Sequence, residues 1–354
     1  MAPDGTTPDA GPESGITPAT IRDLRAADPK MRARDFAARH GLREGQLVAA
    51  MVGHGALRID AHPDRLMPLV HDLGDVMALT RNESCVIEKR GIYGDYHGGP
   101  HAQMVLGEEI DLRIFAQHWR HAFAVTEPGE EGPKRSLQVF DAAGDAVHKI
   151  YLKPESDVAA YDRLVAALRL PDQSDAMAVD PRRPVEPAKI NSDKLDILRD
   201  EWGRMTDTHQ FLRLVSKLKM NRLGAYRAAG APMARALDTG AVNAVLEGAA
   251  RDGIPLMIFV GNAGCIEIHG GPVEKIVPMG PWINVLDPRF NLHLRGDHIA
   301  EVWAVDKPTQ RGPAISVEAF AADGALILQI FGYRKDAPPD AWNALVATLP
   351  GAAA

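Results

Sequence analysis

Shifted by 180 positions, the chain matches itself. Asn82 to Leu152 align with Asn262 to Gly332 without a gap, and 17 of the 71 pairs are identical, far more than unrelated sequences of this composition would share. Asn82 pairs with Asn262, Leu106 with Leu286, Gly132-Pro133 with Gly312-Pro313, and Ser136, Phe140 and Gly144 with Ser316, Phe320 and Gly324. The only two cysteines, Cys85 and Cys265, are one position occurring twice. The period is too long for a solenoid repeat, so each copy is a domain.

Within each copy, "SLQVFDAAGDAVHKIYL" and "ISVEAFAADGALILQIFGY" read as hairpins turning at "DAAGD" and "AADGA", and "CVIEKRGIY", "CIEIHGGPV", "HAFAV" and "EVWAV" add strands. "TIRDLRAA", "MRARDFAARHG" and "DRLMPLVHDLG" predict helices at the start of the first copy, and 193–229 is helical in the second. Helices followed by antiparallel strands, twice over, give an α+β class: a tandem duplication of a domain with N-terminal helices and a large antiparallel β-sheet. Residues 1–17, rich in Pro, Gly and Asp, are expected to be a disordered tail. The N-terminal repeat then spans 18–170, a four-proline linker 171–191, and the C-terminal repeat 192–350.

A formal charge of -7 argues against a nucleic-acid surface, which needs concentrated Lys and Arg. No run of eighteen apolar residues predicts membrane insertion, and "MAPDGTTPDAGPESGITP" does not have the form of a signal peptide, so a cytoplasmic location is expected. Two cysteines make neither a disulfide framework nor a four-ligand zinc site and are expected in the core. There is no G-x-S-x-G, G-x-G-x-x-G or P-loop motif, which removes the main support for a serine hydrolase, a Rossmann dehydrogenase or a P-loop enzyme. The "HGGP" at His97 and His269 falls at different places in the two copies and reads as a turn; His97 with His101, and His118 with His121, read as solvated rather than metal-binding.

Leu195, Leu198, Trp202, Met205, His209 and Leu212 follow at steps of three and four, so His209 is expected to face inward, either as a hydrogen-bonded core histidine or as a ligand. Asp207 and Gln210 resemble an N-cap pair that would set His209 in a first helical turn; the pattern leaves open whether one helix runs through. The copies also differ in charge: Lys307 stands against Glu127, Arg334 against Pro154, and Arg113 against His293. Cations redistributed in this way suit one acidic ligand shared by the halves.

"RNESCVIEKRG", "LGEEIDLRIFAQHW", "SLQVFDAAGDAVHKIYLKPESD", "TDTHQF" and "QIFGYRK" together resemble the HemS/HmuS/ChuS/PhuS family of cytoplasmic haem-handling proteins, also called hemin-degrading factors, over about residues 18–350. The resemblance implies haem b as ligand or substrate, held between duplicated halves. His209 of "TDTHQF" would be the axial ligand to iron and Arg113 of "IDLRIF" a distal residue, catalytic if the protein is an enzyme. Arg222 and Lys307 would hold the propionates, and Gln329, Phe331 and Arg334 would line the pocket. Leu328 and Tyr333 stand where the family often has Tyr and Gln, and Gln210 where some members have a second His.

Two roles are compatible with that site. One is oxidative porphyrin opening to release iron, with electrons from a separate reductase, because no flavin or nicotinamide site is recognisable. The other is a non-catalytic carrier passing haem from an importer to a haem oxygenase. A duplicated scaffold with no ligand would leave the asymmetric cations unexplained.

Overall fold

The structure, a computed structural model, describes residues 15–333 and 340–352. It divides into two units. The first comprises residues up to Arg81, Glu88–Pro184 and Gly261–Glu267; the second comprises Asn82–Ile87, Val185–Val260 and the chain from Ile268 onward. Each unit thus takes a short segment from the opposite repeat. Most of the expected 1–17 tail, residues 1–14, lies outside the described residues.

In the first repeat, α1 (Pro18–Ala27), α2 (Ala33–Arg39) and α3 (Glu44–Ala49) precede β1 (Ala56–Ile59) and α4 (Pro63–Val70). Then follow β2 (Val76–Arg81), β3 (Cys85–Gly91), β4 (Asp95–His97), β5 (Gln103–Leu106), β6 (Asp111–Ile114), β7 (His121–Glu127), β8 (Lys134–Phe140), β9 (Ala146–Leu152) and α5 (Val158–Leu168). The second repeat runs α6 (Leu195–Gly203), α7 (Gln210–Lys217), α8 (Arg222–Ala229), β10 (Ala234–Leu237), α9 (Ala241–Asp252), β11 (Leu256–Gly261), β12 (Cys265–Gly271) and β13 (Ile276–Met279). It ends with β14 (Trp282–Asp287), β15 (Phe290–Arg295), β16 (Glu301–Lys307), β17 (Ala314–Phe320), β18 (Leu326–Gly332) and α10 (Asp340–Thr348).

The duplication is literal in the backbone. In the first unit β1, β7, β8, β9 and β2 pair antiparallel in that order; in the second, β10, β16, β17, β18 and β11 do the same. Both copies shift register at the same step, between Val139 and Phe140 and between Ala319 and Phe320. The turn glycines Gly144 and Gly324 have φ of 79° and 93°, a conformation that side chains with a Cβ resist, which accounts for their identity. Three-stranded meanders, β4–β5–β6 and β13–β14–β15, complete the units.

Local chemistry starts the helices: Thr17 accepts from Thr20 N ahead of Pro18, Asp157 from Ala160 N, and Asn221 from Gly224 N. Strands such as β2 and β11 alternate buried and half-buried residues, so one face of each sheet enters a core. In the second unit Leu256, Ile258, Val317, Leu328 and Ile330 meet α9 and α10 on one face, and Trp303, Val305 and Phe320 meet α6–α8 on the other. Cys85 and Cys265 are both buried free thiols.

The exchanged segments are held by matching asparagines. Asn262 accepts from Gly264 N and Cys265 N and donates to Arg81 O and Val147 O, both at 2.9 Å. Asn82 accepts from Ser84 N and Cys85 N and donates to Ile327 O at 2.8 Å. Val147 and Ile327 are themselves 180 positions apart.

The span 171–191 has no helix or strand. Its first part is nevertheless fixed to the first unit: Arg58 donates to Ser174 O and Ala176 O, Arg22 pairs with Asp175, and Met177 is buried.

Candidate functional site

The helical stretch 193–229, left open as one helix or more, is three helices, and its breaks decide where His209 goes. Leu198, Trp202 and Met205 are buried as the stripe requires, but the chain leaves the helix at Arg204 and turns before α7. Thr206 N donates to Gln210 Oε1 at 2.9 Å and Gln210 Nε2 to Thr206 Oγ1 at 3.2 Å, which closes the turn. The turn resets the helical phase. His209 is therefore the N-cap of α7 with a side chain 86% exposed, not inward as the stripe predicted, and Leu212 is exposed with it. Nor do Asp207 and Gln210 pair with each other through their side chains: Gln210 closes on Thr206, while Asp207 Oδ1 accepts from both His209 N and His209 Nδ1, each at 2.7 Å. With Nδ1 against a carboxylate, the neutral ring carries its proton there and presents its lone pair at Nε2.

Below this turn lies a charged cluster. Arg222 opens α8, and Lys307 ends β16; both reach Glu318 on β17. Glu318 is fully buried and receives Lys307 Nζ at 2.7 Å, Arg222 at 2.9 Å, Tyr226 OH at 2.9 Å and Ser316 Oγ at 2.8 Å. Burial alone would raise its carboxyl pKa, but Lys307 and Arg222 outweigh that and hold Glu318 far below the usual carboxylate range. The cluster carries one net positive charge. Lys307, 3% exposed, lies 5.1 Å from the Phe211 ring centroid, so α7 is packed onto the cluster two residues past His209. Arg222, 21% exposed, is the cation with access to solvent. Gly224 lets the backbone at Lys189 lie directly against α8: a Cβ there would sit 1.9 Å from Lys189 O.

Gln329 stands opposite Glu318 on β18, and Phe331 opposite Ser316, so both occupy the face that carries the cluster. Phe259, opposite Gln329 on β11, meets the Phe331 ring edge-on with centroids 5.4 Å apart. With Met257 these side chains stay half-buried and form an apolar surface. Leu328 points to the opposite face, into the α9–α10 core, so its departure from the family pattern leaves this surface unaltered. Tyr333 is half-buried at the end of the strand, and Arg334 lies outside the described residues.

Arg113 belongs to the first unit, on β6, where it is half-buried, bonds Asp111 and donates to Leu112 O at 3.0 Å. Among the described residues no group of three or more His, Cys, Asp or Glu side chains is arranged to hold a metal ion. Nor is any described helix long and apolar enough to cross a membrane.

The second unit therefore brings together Arg222, Lys307, Gln329 and Phe331, with His209 held on the adjoining helix by Asp207. Sequence reasoning missed Glu318 and Tyr226, the groups that organise the cations. A signal existed: Glu318 aligns with Gln138 and Tyr226 follows Arg222 by one helical turn, so the repeat gained a carboxylate where it gained Lys307.

A family profile described as "Haemin-degrading HemS.ChuX domain" matches twice, at residues 41–168 and 219–349. A Yersinia pestis protein named "Hemin transport protein HmuS" is 37% identical over 328 residues, covering 92% of this chain and 94% of its own length. The structure is similar to that of holo-PhuS, a heme-binding protein from Pseudomonas aeruginosa, with a TM-score of 0.90, 42% identity, and 95% and 100% of the two chains covered. It is also similar to that of ChuS, described as an E. coli heme oxygenase, with a TM-score of 0.83, 33% identity, and 92% and 98% covered. Two profile matches, alignment over nine-tenths of the chain and the duplicated backbone agree: the chain belongs to the HemS family of haemin-degrading-domain proteins.

Proposed function

We propose that the chain binds haem through the second unit, with His209 Nε2 as the axial ligand to iron. The observation that carries this is the exposed imidazole whose Nδ1 is already engaged by Asp207, leaving one nitrogen open to a metal. Phe331, Phe259 and Met257 suit a flat apolar macrocycle. Arg222 faces the propionates directly, and Lys307 contributes charge through Glu318, its own Nζ being enclosed. Gln329 would line the pocket, and the family resemblance would make Arg113 a distal residue.

Bound haem would supply an iron able to activate dioxygen. The chain's own residues would bind and orient the macrocycle, turn His209 Nε2 towards the metal by engaging Nδ1, and offer a guanidinium donor at Arg113. We assign the protein to haem iron utilisation in the cytoplasm, with oxidative degradation driven by an external electron donor. The relative described as a heme oxygenase supports that reading, whereas the one named a hemin transport protein favours a carrier that delivers haem from an importer to an oxygenase.

Hemin titration of the purified protein should give a sharp Soret band that His209→Ala shifts or broadens; an unchanged spectrum would discard the ligand assignment. Incubating the complex with ascorbate or a reductase, in air with catalase, separates the two roles. Loss of the band with release of carbon monoxide or a linear tetrapyrrole marks an enzyme, and a stable band a carrier.

A further inference from the structure

We propose that Asp207 is a positioning residue for the axial ligand: its carboxylate fixes the His209 ring and strengthens Nε2 as a donor to iron. This rests on the haem-binding reading above, but its evidence is separate. One atom, Oδ1, accepts from both the backbone N–H and the ring Nδ1 of His209 at 2.7 Å, so ring and main chain are locked together.

The turn that carries Asp207 is closed by bonds that do not involve the imidazole. Gln210 N donates to Asp207 O at 3.1 Å, and Phe211 N to Thr208 O at 3.1 Å. The Thr206–Gln210 pair closes the turn, and buried Met205 and Phe211 anchor it on either side. The main chain that carries both Asp207 and His209 is therefore fixed independently of the ring. The pair occurs once in the duplicated chain, since the matching helix α2 is preceded by Arg32, which makes no side-chain cap bond.

A carboxylate hydrogen-bonded to the far nitrogen gives an imidazole more anionic character, makes it a stronger donor and favours ferric over ferrous iron. The chain would then hold hemin more tightly when oxidised than when reduced, and a donor that reduces the iron would also loosen it. That links electron delivery to release in either role.

Asp207→Asn is the informative variant, because an amide oxygen still accepts from His209 N and keeps the helix start intact. In the ligand-free protein, in mildly alkaline buffer, ¹⁵N spectra of the His209 ring should show the proton on Nδ1 in wild type and a shift towards Nε2 protonation in the variant. In the hemin complex, the variant should lower the ferrous iron–histidine stretching frequency, raise the ferric/ferrous midpoint potential, and weaken ferric hemin binding by about tenfold. Wild-type tautomer and stretching frequency in Asp207→Asn would overturn the proposal even where His209→Ala abolishes ligation. A spectrum unchanged in His209→Ala would instead remove the ligand assignment, and this inference with it.

Discussion

His148 Nε2 lies 2.6 Å from the Tyr93 hydroxyl in the interior of the first unit, and its Nδ1 lies 2.8 Å from Thr80 Oγ1. Cys265 and Glu267 complete a cluster in which every side chain is buried, and Glu267 Oε2 is 3.8 Å from His148 Nδ1. Stepping 180 positions converts the cluster into Leu328, Val273, Val260, Cys85 and Ile87, which lie in the apolar core of the second unit. One fold thus accommodates either chemistry at the same sites. Burial pushes the Glu267 carboxyl up to about 8, against weaker pulls from Thr80 and Lys89 and with Glu88 adding to the rise, and pushes His148 down to about 3. Both are neutral at pH 7.

These shifts set a pH dependence. Unfolded, Glu267 would titrate near 4.5, so between there and about 8 the unfolded chain has released a proton the folded one keeps, and stability falls as pH rises. His148, near 6.5 unfolded, acts oppositely: between there and about 3 stability falls as pH falls. Above pH 6.5 only the Glu267 slope operates. Thermal unfolding should show a midpoint that declines from about pH 6.5 to about 8 in wild type and declines less in Glu267→Gln; equal slopes would refute the buried neutral acid.

Replacing His148 by Leu, the residue of the other repeat, should destabilise by about 1–3 kcal/mol, because the Thr80 and Tyr93 hydroxyls lose their partner in a dry site. Adding Thr80→Val and Tyr93→Phe should recover part of that loss. Urea unfolding of the single and triple variants tests this, and simple accumulation of losses would contradict it.

Glu318→Ala should destabilise the second unit by about 3–5 kcal/mol by stranding Lys307 and Arg222 without their counter-charge. Lys307→Met added to Glu318→Gln should lessen the loss, since the buried charge left over is removed with its partner. Chemical denaturation with hemin titration on each variant measures both stability and site integrity.

The two asparagines make a matched pair. Asn262→Ala and Asn82→Ala each remove a side chain that ties a tight turn to a neighbouring strand, at a cost of about 2–4 kcal/mol from several lost hydrogen bonds. Near-equal losses in denaturant unfolding are expected from the shared geometry.

Trp202 is fully buried, touches the Phe211 and Tyr226 rings and donates to Asp306 O at 2.9 Å. Trp202→Ala should cost about 3–5 kcal/mol. It should also weaken hemin binding by loosening α7, with Trp202→Phe intermediate in both assays.

The hairpins were legible in the sequence because a fixed 180-residue offset repeats both the turn glycines and the bulge positions. The helices α3, α5, α9 and α10 are not among those the sequence predicts, and the helical copies have drifted: α4 and α9 start 178 positions apart, outside the gapless alignment. His209 was legible as special but not as exposed. Its spacing continues the Leu195–Met205 stripe numerically, while the Thr206–Gln210 turn breaks the phase, and residue spacing does not register a turn closed by side chains. Glu318 differs from its counterpart Gln138 in the other repeat, but a lone acid on a strand gains meaning only when Lys307 and Arg222 are seen to converge on it.

The reciprocal lending of Asn82–Ile87 and Gly261–Glu267 bears on any attempt to cut this chain in two. A scission near Pro184 would yield fragments that each carry a strand tip meant for the other and want one of their own. Neither fragment should survive as a soluble, well-folded product, while the pair, mixed, should complement. On that expectation the two repeats act as one folding unit, although each carries its own sheet.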